Sequence, residues 1–270
     1  MGTWQVVGTS WKVTVKSLGV AGFVTGCYLL FGLLGLPLSG QGVQASVGQA
    51  LLGLGFLSLY FFIWPLIQGG CLSFVDTRLA QSSVSPSIAS WWQGARKLYG
   101  RLLGFLALWT AAFLMWGMVF GIVFVVALAI GSAAQQMTAS IIMTLIACIV
   151  GGIALYPLII VSAMAPVAMA VEGGKIFQAI TKGWQVGRAM LGRLLLVSLA
   201  LILTLVPGII LNVLPVMLQG GGAKLGVPGQ LIGLVMQSII SALSLFLFST
   251  AYVQLYRSRA GVLQASQVSA

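Results

Sequence analysis

Charge is what this sequence has least of. Asp, Glu, Lys and Arg together make up 6% of its residues, against about a quarter in a soluble domain. So few charges do not coat a water-exposed surface, and a soluble globular fold is excluded. Histidine is absent, which removes the commonest general base and metal ligand at once. The acids are two, Asp76 and Glu172, far apart in the chain. The cysteines are three, Cys27, Cys71 and Cys148, with no metal-ligand spacing and no paired framework. They fall within or at the edge of apolar runs, where small buried side chains are their expected role. No Ser/His/Asp set, P-loop or paired-carboxylate site is available, so no enzymatic activity, cofactor or metal is expected.

Hydrocarbon is what is present in quantity: 60% of the residues are hydrophobic and the mean hydropathy is +1.10. A membrane-spanning helix needs about 20 mostly apolar residues. Six segments qualify, near 17–38, 48–74, 102–132, 138–170, 194–218 and 230–255. Pro65, Pro157, Pro207 and Pro215 are candidate bend sites within them. The first segment follows Lys12 and Lys16, and Val43-Gln44-Ala45 has the small-residue look of a signal cleavage site. Its apolar stretch is about twenty residues, longer than a signal peptide's roughly 7–15, so it is read as a true span.

The connections alternate in charge. Lys12 and Lys16 precede span one, and the turn Ser39-Gly40-Gln41-Gly42 is uncharged. The stretch 75–101 carries Arg78, Arg96, Lys97 and Arg101, and the turn Ala133-Ala134-Gln135-Gln136 is again uncharged. Lys175, Lys182, Arg188 and Arg193 fall in 171–193, Lys224 alone in 219–229, and Arg257 and Arg259 after span six. Basic connections stay in the cytoplasm, which predicts both termini inside. The net charge of +11 therefore reads as topology and headgroup contact, not as nucleic-acid binding.

An internal repeat runs through the chain. Aligned on Trp92 and Trp184, the next residues Gln93 and Gln185, then Arg96 and Arg188, Gly100 and Gly192, and Arg101 and Arg193 all coincide. Ser10-Trp11-Lys12, followed by Lys16, is a looser copy. Val75-Asp76 and Val171-Glu172 end spans two and four, and Val253-Gln254 stands at the matching place after span six. The expected fold is thus all-α and integral to the membrane: about six transmembrane helices as three hairpins. A basic amphipathic helix lying in the interface plane is expected before each hairpin. One transmembrane domain covers 1–260, in units near 1–75, 76–171 and 172–260, before a polar tail at 261–270.

Asp76 and Glu172 sit where a span turns into a surface helix, facing the negative end of the helix dipole. A structural ion pair is their expected role, with Arg78, Arg96, Arg188 or Lys175 near enough in sequence to supply it. Inside the spans, Thr110, Thr144, Thr204, Asn212, Gln237, Ser238 and Gln68 are expected to bond across helices. Gly22-x-x-x-Gly26 and Gly117-x-x-x-Gly121 are candidates for close helix approach.

The stretch Ala163-Met164-Ala165-Pro166-Val167-Ala168-Met169-Ala170-Val171-Glu172-Gly173-Gly174 runs on to Ala179-Ile180-Thr181-Lys182-Gly183-Trp184 and Arg188. Together with the closing Tyr252-Val253-Gln254-Leu255-Tyr256-Arg257-Ser258-Arg259, it resembles the glycerophosphoryl diester phosphodiesterase membrane-domain family of six-span bacterial proteins. The chain departs from that pattern at Gln254, near which relatives carry an acid, and at Gly183, which replaces a serine. The resemblance implies a bacterial inner-membrane location and no hydrolysis, since no phosphodiesterase catalytic domain is present. The leading expectation is a non-enzymatic scaffold, anchor or accessory subunit. Trp92, Arg96, Lys97, Arg101, Trp184, Arg188 and Arg193 would contact anionic lipid headgroups or a membrane or cytoplasmic protein partner. The alternative is a transporter or lipid-translocating protein with a cavity between the hairpins.

Overall fold

The computed structural model describes residues 2–39, 47–80, 87–133, 137–218 and 227–268, with backbone alone for 35–39, 47, 49–50, 131–133, 137, 139–140, 209, 211–218, 227–230 and 260–268. The uncharged turns at 40–46 and 134–136, the cleavage-like triplet 43–45 and Lys224 lie outside the described residues. Eight α-helices carry the described chain: α1 (Thr3–Lys16), α2 (Leu18–Ser39), α3 (Val47–Ala80), α4 (Ile88–Ala133), α5 (Met137–Glu172), α6 (Ile176–Ala189), α7 (Leu191–Leu218) and α8 (Val227–Val268). Five of them are long and apolar enough to cross a bilayer, and α1 with α2, bent by 82° at their junction, is a candidate sixth. The protein is a multi-pass, all-α membrane protein. Pro65, Pro157 and Pro166 sit inside helices that remain continuous. The segment 261–268 continues α8.

Burial is uneven along the helices. The buried side chains run from Ile67 to Val75 on α3, Trp91 to Phe105 on α4, Ile160 to Met169 on α5 and Ala242 to Tyr256 on α8. All of these lie toward the end of the molecule that carries the basic residues. Toward the uncharged end the helices expose Leu51–Leu59 of α3, Met115–Ile130 of α4 and Ile141–Ile153 of α5. Hydrocarbon exposed along several helical turns is stable only against lipid. Cys148 belongs to this exposed zone, whereas Cys71 is buried and Cys27 half-buried. The expectation of burial fails at Cys148, which shares an exposed stretch of α5 with Leu145, Ile146, Ile149 and Val150.

The three helices that return to the basic end, α3, α5 and α8, touch one another. Each is flanked by a pre-span segment: the start of α4 on α3, α6 on α5, and α1 on α8. The start of α4 is not a separate interfacial helix, which corrects the expectation for 88–101. The helix runs unbroken from Ile88 to Ala133. Trp91, Ala95, Leu98, Leu102 and Phe105 form one buried stripe at helical spacing that holds the segment in line with its span. Nor does α6 stand off in the headgroup plane, for it runs back along the last turns of α5. A Cβ on Gly183 would lie 2.7 Å from the Ala165 backbone nitrogen, and one on Gly187 2.3 Å from the Ile160 side chain.

In α1 and α6 the helix does end before the span, and at matching places. Ser17 lies six residues after Trp11, and Met190 six after Trp184. Ser17 has φ −114° and ψ 21°, Met190 φ −120° and ψ 16°. The amide of each reaches back to the third residue before it, at 3.0 Å and 3.3 Å. All three pre-span segments bury the residues one before, three after and six after the reference tryptophan: Ser10, Thr14 and Ser17; Trp91, Ala95 and Leu98; Gly183, Gly187 and Met190.

The close helix contacts come from glycines other than the two expected pairs. A Cβ on Gly22, Gly26, Gly117 or Gly121 meets nothing within 4 Å. At Gly70 it would lie 2.3 Å from the Trp91 ring, and at Gly94 2.4 Å from the Ser73 hydroxyl. Periodicity alone does not tell a lipid-facing glycine stripe from a helix-facing one. Hydroxyls likewise bond within their own helix: Thr204 to the Leu201 carbonyl and Ser238 to the Leu234 carbonyl, at 2.7 and 2.8 Å. A bond across helices joins Ser198 of α7 to Tyr252 of α8, at 3.0 Å.

Candidate functional site

The polar chemistry gathers at the basic end, where α5 finishes against α3 and α8. The α5 C-terminus brings negative partial charge there, and Asp76 and Glu172 add two carboxylates. Cations from distant elements answer them. Arg257 Nε donates to Asp76 Oδ1 at 2.9 Å, and its Nη2 lies 2.7 Å from the same oxygen and donates to the Asp76 carbonyl at 3.1 Å. Glu172 accepts from Lys182 Nζ of α6 through Oε2 and from Tyr256 Oη of α8 through Oε1, the latter at 2.5 Å. The expected ion-pair role of the two acids thus has a geometry, with different partners. Neighbours in sequence such as Lys175 and Arg78 were the candidates, but α8 places Tyr256 and Arg257 between the ends of α3 and α5.

The turn after α5 is held as well. Gly173 closes the helix with φ +68°, a left-handed conformation that favours glycine. Its amide reaches the Met169 carbonyl at 3.1 Å, and its own carbonyl accepts from Arg101 Nη1 of α4 at 2.5 Å. Beside this turn a recess of about 150 Å³ is lined by Ala168, Glu172, Gly174, Gln178, Ala179 and Lys182. Gln254, at the place matching the acids, is 6% exposed. Neither its amide nitrogen nor its amide oxygen has a hydrogen-bond partner among the described residues.

The remaining sequence-predicted residues divide. Arg101 is drawn into the turn, and Trp184 is half-buried with its ring 6.0 Å from that of Tyr156. Trp92 is exposed, and the Arg96 guanidinium lies 5.0 Å above its ring, a cation–π contact. Lys97, Arg188 and Arg193 are exposed. The tryptophan that builds the core is Trp91, 2% exposed, with its ring 5.2 Å from Phe23. It stands over Gly70, a contact that the repeat centred on Trp92 does not mark. Among the described residues no group of three or more potential metal ligands occurs.

No curated protein and no solved structure matches this chain. A family model does match over residues 6–259, nearly all of the described helical bundle, and the chain belongs to that family, DUF7847, a domain of unknown function.

Proposed function

We propose that this protein is a non-enzymatic scaffold, anchor or accessory subunit of the bacterial inner membrane. Its basic end is cytoplasmic, with both termini inside, and engages the phosphates of anionic lipids. The observation that carries this reading is a charge imbalance with a geometry. The two acids of the chain are both taken by internal ion pairs with Arg257 and Lys182. Arg96, Arg188 and Arg193 point outward with no further side-chain carboxylate in the chain to meet them, while the exposed Lys97 lies within electrostatic reach of Asp76. Lys12 and Lys16 on α1 are exposed in the same way. The resemblance of 163–174 to a phosphodiesterase membrane domain supports a membrane role without hydrolysis.

Each basic residue near an anionic surface contributes about 1 kcal/mol. Changing Arg96, Arg188 and Arg193 together to Gln is therefore expected to lower affinity for phosphatidylglycerol on the order of 100-fold. Native mass spectrometry in mild detergent reads this as loss of bound phospholipid from the triple variant. A protein that co-purifies with the wild type and leaves with the three arginines would move the reading to a protein partner. A wild type that carries neither lipid nor protein overturns it.

The transporter alternative requires polar side chains at mid-depth. A groove of about 490 Å³ between α2 and α3 is lined by Leu34, Gly48, Leu51, Leu52, Gly55, Phe56 and Leu59. That lining is hydrocarbon and glycine, which suits acyl chains and not a polar solute. Flux of a fluorescent phospholipid across reconstituted liposomes would favour the alternative.

A further inference from the structure

We propose that α1 is a hinged clasp: it closes the bundle by lying on α8, swings open about Ser17, and is opened by anionic headgroups. The trigger rests on the headgroup reading above, whereas the hinge rests on the fold alone. The two other pre-span segments are fixed. The start of α4 continues into its span without a break. α6 is joined to α5 by the short turn at 173–175, packs backbone to backbone at Gly183, and is bonded through Lys182 to Glu172. α1 has none of these ties. Its partners are α8, at the opposite end of the chain, and α7, and both acids are already paired elsewhere. One residue, Ser17, separates it from α2, across a bend of 82°.

The α1 side of its seam carries three hydroxyls beside two valines, whereas the buried faces of the start of α4 and of α6 are hydrocarbon and glycine. The buried face of α1 is Val6, Val7, Ser10 and Thr14, followed by Ser17. Ser10 and Thr14 donate to the carbonyls of Val6 and Ser10 in their own helix, so lifting α1 breaks neither bond. On α8, Phe246 and Arg257 face α3, Tyr256 faces α5 and Tyr252 faces α7. At about 100° per residue these contacts leave Gln254 turned away from α3, α5 and α7, toward the side where α1 and α2 pack. Both amide atoms of Gln254 and the Ser17 hydroxyl are buried without a partner among the described residues. A buried polar group left unsatisfied weakens the closed seam, and opening restores its access to water or headgroups. The outward face carries Lys12, Lys16, Val15 and Trp4, the last 74% exposed. That composition suits insertion at the headgroup level.

The test is a pair of spin-label distances in the full chain, with Cys27, Cys71 and Cys148 changed to Ala. Gly8→Cys with Ser258→Cys reports α1, and Gln185→Cys with Ser258→Cys reports α6. All three label sites are exposed. In nanodiscs of phosphatidylcholine the α1 pair is expected to give a dominant closed distance. With phosphatidylglycerol added, a second, longer distance is expected to grow, while the α6 pair keeps one distance throughout. Gln254→Leu is expected to abolish the second population. A single α1 distance in both membranes overturns the clasp even where phosphatidylglycerol binding is intact. A second population independent of lipid charge overturns the lipid trigger and the proposal with it. Should Gln254→Leu not fold, the wild-type lipid comparison decides alone.

Discussion

At the residue scale, the positions that tolerate nothing are those where two backbones meet. Gly183 is the sharpest case. A methyl there would lie 2.7 Å from the Ala165 nitrogen and 3.0 Å from the Met164 carbonyl carbon, both backbone atoms that no rotamer relieves. Gly183→Ala is expected to destabilise the protein by about 1–3 kcal/mol, as overpacking does. Gly117→Ala, facing open space, is expected to be neutral or slightly stabilising through helix propensity. Thermal unfolding in detergent compares the two, and equal midpoints would contradict the packing described for α6. The Asp76–Arg257 pair gives a second residue-scale test. Both side chains are partly buried, 18% and 33% exposed, so removing either partner strands the other. Asp76→Asn and Arg257→Gln are expected to couple in a double-mutant cycle by about 1–3 kcal/mol. Additive losses would mean that the pair contributes little.

At the scale of elements, Glu172 holds the end of α5 to α6 and α8 at once. Glu172→Gln removes the charge that Lys182 pairs with and weakens acceptance from Tyr256. Amide exchange in α6 is expected to rise about tenfold for each 1.4 kcal/mol lost, while Ile88–Arg101 is unchanged because it is the first part of a span. Hydrogen-exchange mass spectrometry reads both peptides, and parallel loosening of the two would contradict the difference between them. Spans, five to six of them, were legible in the sequence because bilayer thickness imposes a minimum apolar length. Whether a pre-span segment breaks away was not. Ser17 and Met190 end helices, yet Leu98 at the matching place does not, although neither Ser nor Met is a strong helix breaker. The decision is made by the surface each segment packs on. Trp91 anchors the start of α4 over Gly70, whereas Gly183 lets α6 fold back on Ala165. The partners of Asp76 and Glu172 were hidden for a related reason. Arg257 is 181 residues from Asp76, a separation at which only the three-dimensional arrangement decides who meets whom.

For the whole molecule, the distribution of burial and of charge point the same way. Side chains pack densely near the basic end and face lipid toward the other, so the bundle is held together at one side of the membrane. The same side carries the cations left without a carboxylate, and moving a basic residue through the bilayer core costs about 2.5–3.5 kcal/mol even on the translocon scale. Twelve of the 13 basic residues lie in basic connections, with Lys224 the exception, so inverting the protein is opposed many times over. The arrangement is therefore expected to have a single orientation. In a cysteine-free background, Gln93→Cys and Ser258→Cys, both exposed at the basic end, are expected to resist a membrane-impermeant maleimide in intact cells and to react after lysis. Thr138→Cys, exposed at the start of α5, is expected to react in intact cells. Labelling of Thr138→Cys and Gln93→Cys from the same side would break the six-crossing topology. Exchange of the two outcomes would keep that topology and reverse the side on which the cations act, leaving the inner-leaflet phosphates out of their reach.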